Sequence, residues 1–151
     1  MDGAAVPVTI RAIGRPDFEA WQRLWSGYLN YYETSLPPAQ KQGAFERLLD
    51  TRSKVHGLLA EIDARPVGLV HYIFHDHMWR AEGICYLQDL YTETSVRRRG
   101  VGRALIEAVY GAARAVGVPK VYWLTQDFNA AGRALYDKIG KRTPFIRYDG
   151  A

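Results

Sequence analysis

Residues 97 to 103 read Arg-Arg-Arg-Gly-Val-Gly-Arg, four guanidinium groups and two glycines with no acid among them. These residue types at this spacing suit an anion. Glycine lets the backbone come close to a ligand, and the unpaired amides of a helix's first turn point outward at negative charge. Arginine adds bidentate donors matched to phosphate oxygens. The implied chemistry is pyrophosphate binding. Two familiar cradles do not fit: no Gly-Lys-Ser/Thr ending follows, and Leu105 stands where a dinucleotide fingerprint needs its third glycine.

The same run accounts for the charge of the chain. Its 151 residues hold 20 Lys+Arg against 16 Asp+Glu, a net +4. With these four arginines set aside, the remaining 16 basic residues balance the 16 acids. The rest of the protein is close to neutral, which argues against a nucleic-acid partner. A solvated basic loop or nucleic-acid patch is the plainer meaning of an arginine run alone. The other candidates are weaker. His71 lies in an apolar strand and reads as structural. His75 and His77 flank Asp76 without a third ligand, so no metal site is expected. Cys85 is the single cysteine; it cannot form an internal disulfide and reads as inert packing.

A 48% hydrophobic share excludes wholesale disorder, and the length suits one domain over residues 1–151. The longest stretch free of Asp, Glu, Lys and Arg is ten residues, Pro66 to His75. A membrane span needs about 20. Met1-Asp2-Gly3-Ala4 lacks the features of a signal peptide. A soluble cytoplasmic domain is the expectation.

The elements that must position the glycine-arginine turn follow from periodicity. Val6 to Ile10 reads as a strand. Asp17 offers an N-cap to a helix whose face carries Phe18, Trp21, Leu24, Trp25, Tyr28, Leu29 and Tyr32 at steps of three and four. This aromatic stripe reads as core or dimer contact, with a cage for a substrate cation as the lesser alternative. Leu36-Pro37-Pro38 breaks the helix, and a second runs over 39–50. Strands at 57–62 and 67–74, joined by Asp63-Ala64-Arg65-Pro66, form a hairpin. His75 to Trp79 is a turn and 84–93 a further strand. A helix from about Gly100, stopped by Gly117 and Pro119, carries Val101, Leu105 and Val109 on one face. A strand at 121–125, a helix at 129–139 and a final strand at 144–148 complete an α/β domain with a mixed sheet.

In that setting the turn resembles the acetyl-CoA-binding motif of the GNAT superfamily of N-acetyltransferases, Gln/Arg-x-x-Gly-x-Gly/Ala, with Arg97, Gly100 and Gly102 at its defined positions. A second family motif, an Asn followed seven residues later by a Tyr on a short helix, is matched by Asn129 and Tyr136. Tyr86-Leu87-Gln88-Asp89-Leu90-Tyr91 and Val121-Tyr122-Trp123 are similar to diamine acetyltransferases and to small fungal enzymes acting on histone tails, polyamines or D-amino acids. The resemblance implies the GNAT fold, a mixed and mostly antiparallel central sheet flanked by helices. It also implies a pantetheine arm paired with the backbone of Leu90, Tyr91 and Thr92, with the Leu90 amide facing the thioester carbonyl. The pyrophosphate would lie on Arg97, Arg98, Arg99, Gly100, Val101, Gly102 and Arg103. Asn129, Ala130, Ala131 and Gly132 would flank the thiol end, and Tyr136 would protonate the leaving thiolate.

Two departures bear on the chemistry. Gln88 stands where diamine acetyltransferases carry a glutamate base, and Lys141 replaces the usual phenylalanine after Gly140. A glutamine can position an amine or a water but cannot take a proton, and Asp89 should face the other side of the sheet by strand alternation. His71, His75, Asp127 and Tyr86 are candidate relays. The expected activity is direct acetyl transfer from acetyl-CoA to a primary amine of a small molecule in a ternary complex, by a homodimer without metal. A protein lysine or N-terminus as acceptor, or a catalytically silent acyl-CoA-binding module, are the alternatives.

Overall fold

The computed structural model describes residues 7–151. A five-stranded sheet runs in the spatial order of the sequence: β1 (Thr9–Ala12), β2 (Val55–Ile62), β3 (Arg65–His77), β4 (Arg80–Thr92) and β5 (Val121–Tyr122). The first four pair antiparallel and β5 joins β4 in parallel, the mixed, mostly antiparallel sheet expected. Among the described residues four α-helices flank it: α1 (Phe18–Tyr31), α2 (Pro38–Leu49), α3 (Val101–Ala115) and α4 (Ala130–Ile139).

The sheet separates two cores. On one face Trp21 and Leu24 of α1 and Phe45 of α2 bury against Leu59 and Leu69, with Tyr91 packed at the margin. On the other, Val101, Leu105, Ile106 and Val109 of α3 meet Val70, Tyr72, Cys85 and Leu87, while Leu135, Tyr136 and Ile139 of α4 close the side. Gly68 allows this approach, since a Cβ there would lie 2.9 Å from Val101 and 3.0 Å from the Tyr91 carbonyl.

Several local expectations change. Val6 lies outside the described residues, and β1 begins at Thr9. Asp17 occupies the N-cap position of α1, yet its carboxylate does not cap the helix. It accepts two bonds from Arg11 at 2.8 Å and one from the Gly14 amide at 2.7 Å, because a guanidinium reaching across from β1 is the stronger partner. Pro38 opens α2 at a position where a missing amide costs nothing. The hairpin link tightens to Asp63-Ala64, both at positive φ (51° and 62°), a twist that matches paired strands. The expected turn at 75–79 shrinks to Met78-Trp79, because β3 and β4 pair out to His77 and Arg80.

The largest correction concerns the two C-terminal strands. Only Val121 and Tyr122 of the segment 121–125 pair with β4, and 144–148 forms no strand. A strand needs a hydrogen-bonding edge as well as an apolar sequence. The tail pairs with none of the described edges, and Phe145, Ile146 and Tyr148 are exposed.

Candidate active site: a splayed strand edge and an amide nest

Gln88 sets the geometry of the site. His71 pairs with Asp89 and Tyr72 with Leu87, so Gln88 has no partner on β3 and forms a β-bulge. The extra residue reverses the alternation of β4, placing Leu87 and Asp89 on opposite faces although they are two apart. It also coincides with the end of parallel pairing: β5 contacts β4 at Cys85 and Tyr86 and then diverges. From Gln88 to Thr92, β4 therefore has an edge that β5 does not cover.

The Glu93 amide donates to the Val67 carbonyl at 2.8 Å, so Glu93, Tyr91 and Asp89 address β3 while Leu90 and Thr92 address the open edge. The Thr92 carbonyl accepts from Arg97 Nε at 3.1 Å. A further brace fixes this end of the strand. The buried Glu93 carboxylate takes Arg23 of α1 and Arg65 of β3, the latter at 3.0 Å, and Arg23 also donates to the Pro66 carbonyl.

The glycine-arginine run completes the cleft at its wide end. Gly100 is the N-cap of α3 at φ +81°, and Arg98 also lies in the left-handed region at φ +69°. Left-handed residues in a turn before a helix allow successive backbone amides to converge, the kind of concavity that binds anions. The Ala104 amide closes the first helical bond to Gly100. The amides of Val101, Gly102 and Arg103 thus belong to the open first turn. Arg97, Arg98 and Arg99 are exposed. No Cβ clash constrains Gly100, and at Gly102 the nearest atom would be Leu135 Cδ2 at 3.5 Å. The two glycines are consistent with a ligand's approach, and packing does not demand them.

On the far side of the cleft, Asn129 caps α4: its Oδ1 accepts from the Gly132 amide and its Nδ2 donates to Thr125 Oγ1, both at 3.1 Å. Gly132 is confined by this cap, since a Cβ would stand 2.5 Å from Asn129 Nδ2. Ala130 and Ala131 form the first turn beside it. Tyr136 packs edge-on against Trp123, with centroids 5.5 Å apart, and Tyr110 donates to the Ile139 carbonyl to hold the helix end. Burial, then the nearby Tyr32 and Tyr31 hydroxyls, pushes the Tyr136 pKa up. Its hydroxyl stays protonated at neutral pH and is available as a donor.

The aromatic stripe of α1 divides between two tasks. Trp21 is core, but its indole N–H donates to His71 Nε2 at 2.9 Å. An indole can only donate, so that nitrogen is an acceptor and the His71 proton sits on Nδ1, which donates to Asp89 Oδ2 at 2.8 Å. Trp25 donates to the same oxygen at 3.2 Å. Both ring nitrogens of His71 are thus engaged, and it cannot relay protons. The Asp89 carboxylate, buried and held by these neutral donors, lies beneath Tyr28, Tyr32 and Tyr86. Burial and then the Asp89 charge raise the Tyr28 pKa; for Tyr86 burial raises it, Arg147 opposes, and Asp89 adds to the rise. Sequence reasoning missed this network. Its signal was the Trp21–Trp25 spacing on a helix face opposite two apolar strands, one carrying His71 and the other Asp89. Gln88 itself is exposed.

An open strand edge running into a turn of free amides, flanked by a capped helix bearing a half-buried tyrosine, is the architecture of an acyl-CoA-using transferase. Residues 18–140 match the Acetyltransferase (GNAT) family, and the chain belongs to it as an acetyl-CoA-dependent N-acetyltransferase. Among its relatives, the D-amino-acid N-acetyltransferase HPA3 of Saccharomyces cerevisiae is 37% identical over 144 residues, covering 93% of this chain and 89% of that protein. A thialysine N-epsilon-acetyltransferase of Caenorhabditis elegans is 31% identical over 85 residues, 56% of this chain and 52% of its own. The aminoglycoside N-acetyltransferase AAC(6')-Iy, solved with CoA, shares the fold with a TM-score of 0.84 at 17% identity, over 100% of this chain and 99% of that one. Among the described residues no helix is long and apolar enough to cross a membrane.

Proposed function

We propose that this protein, one domain over residues 1–151, moves the acetyl group of acetyl-CoA onto the amino group of a small amino acid or amine, by direct attack in a ternary complex. The observation that carries this reading is the open β4 edge at Leu90 and Thr92 leading into the Arg98–Arg103 nest. A pantetheine arm can pair with that edge as an added strand, along Leu90, Tyr91 and Thr92. The pyrophosphate is then met by the amides of α3 and by Arg97, Arg98, Arg99 and Arg103. The Leu90 amide polarises the thioester carbonyl as charge develops on oxygen. Asn129 to Gly132 flank the thiol, and Tyr136 donates to the leaving sulfur. Gln88 at the bulge positions the acceptor or a water.

The acceptor class is supported by the charges around Tyr86. Asp89 suits an ammonium beneath aromatic rings. Arg147, close enough to oppose the rise in the Tyr86 pKa, suits a carboxylate. Together they match a zwitterion, in keeping with relatives named for D-amino acids and thialysine. The buried thiol of Cys85 fits a reducing cytoplasm. The exposed Phe145, Ile146 and Tyr148 on an unpaired tail support a homodimer in which a second copy covers them; sedimentation at micromolar concentration tests this. For the activity, CoA release is measured over D- and L-amino acids, diamines and basic peptides, with acetyl-CoA binding followed separately by calorimetry. Turnover of amino acids is expected. Absence of acetyl-CoA binding overturns the reading, and binding without turnover would make the protein a silent acyl-CoA module.

A further inference from the structure

Of the arginines in the 97–103 run, Arg97 is the one whose side chain reaches back to β4 among the described residues. A 3-10 turn over Thr94–Val96 separates it from the strand, and its Nε donates to the Thr92 carbonyl at 3.1 Å. Its Cζ lies 5.9 Å from the Tyr91 ring centroid. Tyr91 packs on the α1 side of the sheet, whereas Val101 in the first turn of α3 belongs to the other side. The guanidinium is therefore folded back along β4 and not turned to the amides of Val101, Gly102 and Arg103. Arg98 and Arg99 are exposed without this anchor, and Arg103 pairs with Glu107 one turn on at 3.3 Å.

That contact falls on the stretch of edge an added strand would use. Leu90 and Thr92 turn their backbone groups away from β3, so an extended ligand has these two residues to pair with. The Thr92 carbonyl points into the lane such a ligand would occupy, and a donor 3.1 Å from its oxygen stands in that lane. A carbonyl can accept twice, but an incoming chain still has to move a guanidinium out of its path. The contact that holds the guanidinium is exposed and has a neutral partner. A phosphate is the better one, because its oxygens take a guanidinium bidentately with charge on both sides.

We propose that Arg97 selects the acetyl donor: it closes the Thr92 rung in the ligand-free protein and yields it to a thioester that carries a pyrophosphate. This rests on the acetyl-CoA cleft proposed above. As acetyl-CoA enters, the Thr92 and Tyr91 contacts of the guanidinium are lost. The pantetheine arm takes over the Thr92 carbonyl, and the pyrophosphate takes over the guanidinium. A thioester without phosphate has to break the same contacts and offers the arginine nothing in return. One side chain thus favours acetyl-CoA and disfavours short acyl thioesters, two effects of opposite sign. The other arginines of the run have no hold on the strand and can only add attraction.

The test measures Kd by calorimetry for acetyl-CoA and for S-acetylpantetheine, which has the same arm and no phosphate, on the full chain and on Arg97→Ala. Arg97 is exposed, and thermal denaturation checks that the variant stays folded. Arg97→Ala should bind acetyl-CoA about tenfold more weakly, the scale of a hydrogen bond between charged groups. It should bind S-acetylpantetheine about two- to tenfold more tightly, the scale of the single exposed bond no longer to be broken. Arg99→Ala should weaken acetyl-CoA without tightening S-acetylpantetheine. A loss with both ligands in Arg97→Ala, no gain with S-acetylpantetheine, or an equal gain in Arg99→Ala overturns the selection. A wild-type protein that binds the two ligands equally well overturns the pyrophosphate cradle itself.

Discussion

Gly100 and Gly102, two residues apart, should respond to the same substitution with opposite signs. Gly100 sits at φ +81° with nothing within 4 Å of where a methyl would stand, so Gly100→Ala carries no steric clash and a purely conformational penalty. That penalty is about 1–2 kcal/mol for an L-residue in the left-handed region. In a domain of this size each kcal/mol moves Tm by about 2–4 °C, so the variant should melt about 2–8 °C lower. Gly102 lies in the first turn of α3, where a Cβ meets Leu135 at an ordinary 3.5 Å. Gly102→Ala should gain up to about 1 kcal/mol of helix propensity and melt up to about 4 °C higher. Gly102→Trp, by contrast, keeps the fold but fills the nest. The assay is thermal denaturation of all three with and without acetyl-CoA. A ligand at a hundred times its Kd adds about 2.7 kcal/mol to the wild type, and Gly102→Trp should lose that increment. A folded Gly102→Trp protein that keeps it places the pyrophosphate elsewhere. A Gly100→Ala protein melting with the wild type refutes the left-handed helix start.

Three further outcomes follow from buried groups. Trp21→Phe leaves His71 Nε2 as a buried acceptor without its indole donor and should cost about 1–3 kcal/mol in urea denaturation; no change in midpoint would show that the network carries no stability. Cys85 is fully buried, and burial pushes its thiol up to about 11 from 9.0. Its alkylation at pH 8 should run at least about a hundredfold slower in the folded than in the unfolded protein, which timed labelling and mass measurement can check. Arg11, by hydrogen bonding first and charge second, holds the Asp17 carboxyl below its usual value. A depressed folded pKa contributes stability that is complete above the unfolded carboxylate value near 4 and is lost as pH falls below it. Asp17→Asn should therefore destabilise the protein at pH 7 and flatten the acid limb of its stability profile; a parallel, unchanged acid limb would refute the pairing.

The sequence by itself was enough for much of what depends on neighbours along the chain. The glycine-arginine turn, the Asn129 cap with Tyr136 two turns on, the apolar faces of α1 and α3 and the β2–β3 hairpin are local patterns, because helix period, strand alternation and backbone freedom act within a few residues. Tertiary structure decided what depends on registration between distant strands. The bulge at Gln88 exists only by comparison with β3, and it alone determines that Leu90 faces the open edge while Asp89 turns to the aromatic face. The partners of His71 and His75 were likewise undecidable from composition, since they come from distant elements: an indole of α1 and the Asp89 carboxylate of β4 for one, and the Tyr122 phenol of β5 for the other. The failed strand at 144–148 has the same origin. Its alternation is strand-like, but a ladder needs a partner, and the segment pairs with no described strand.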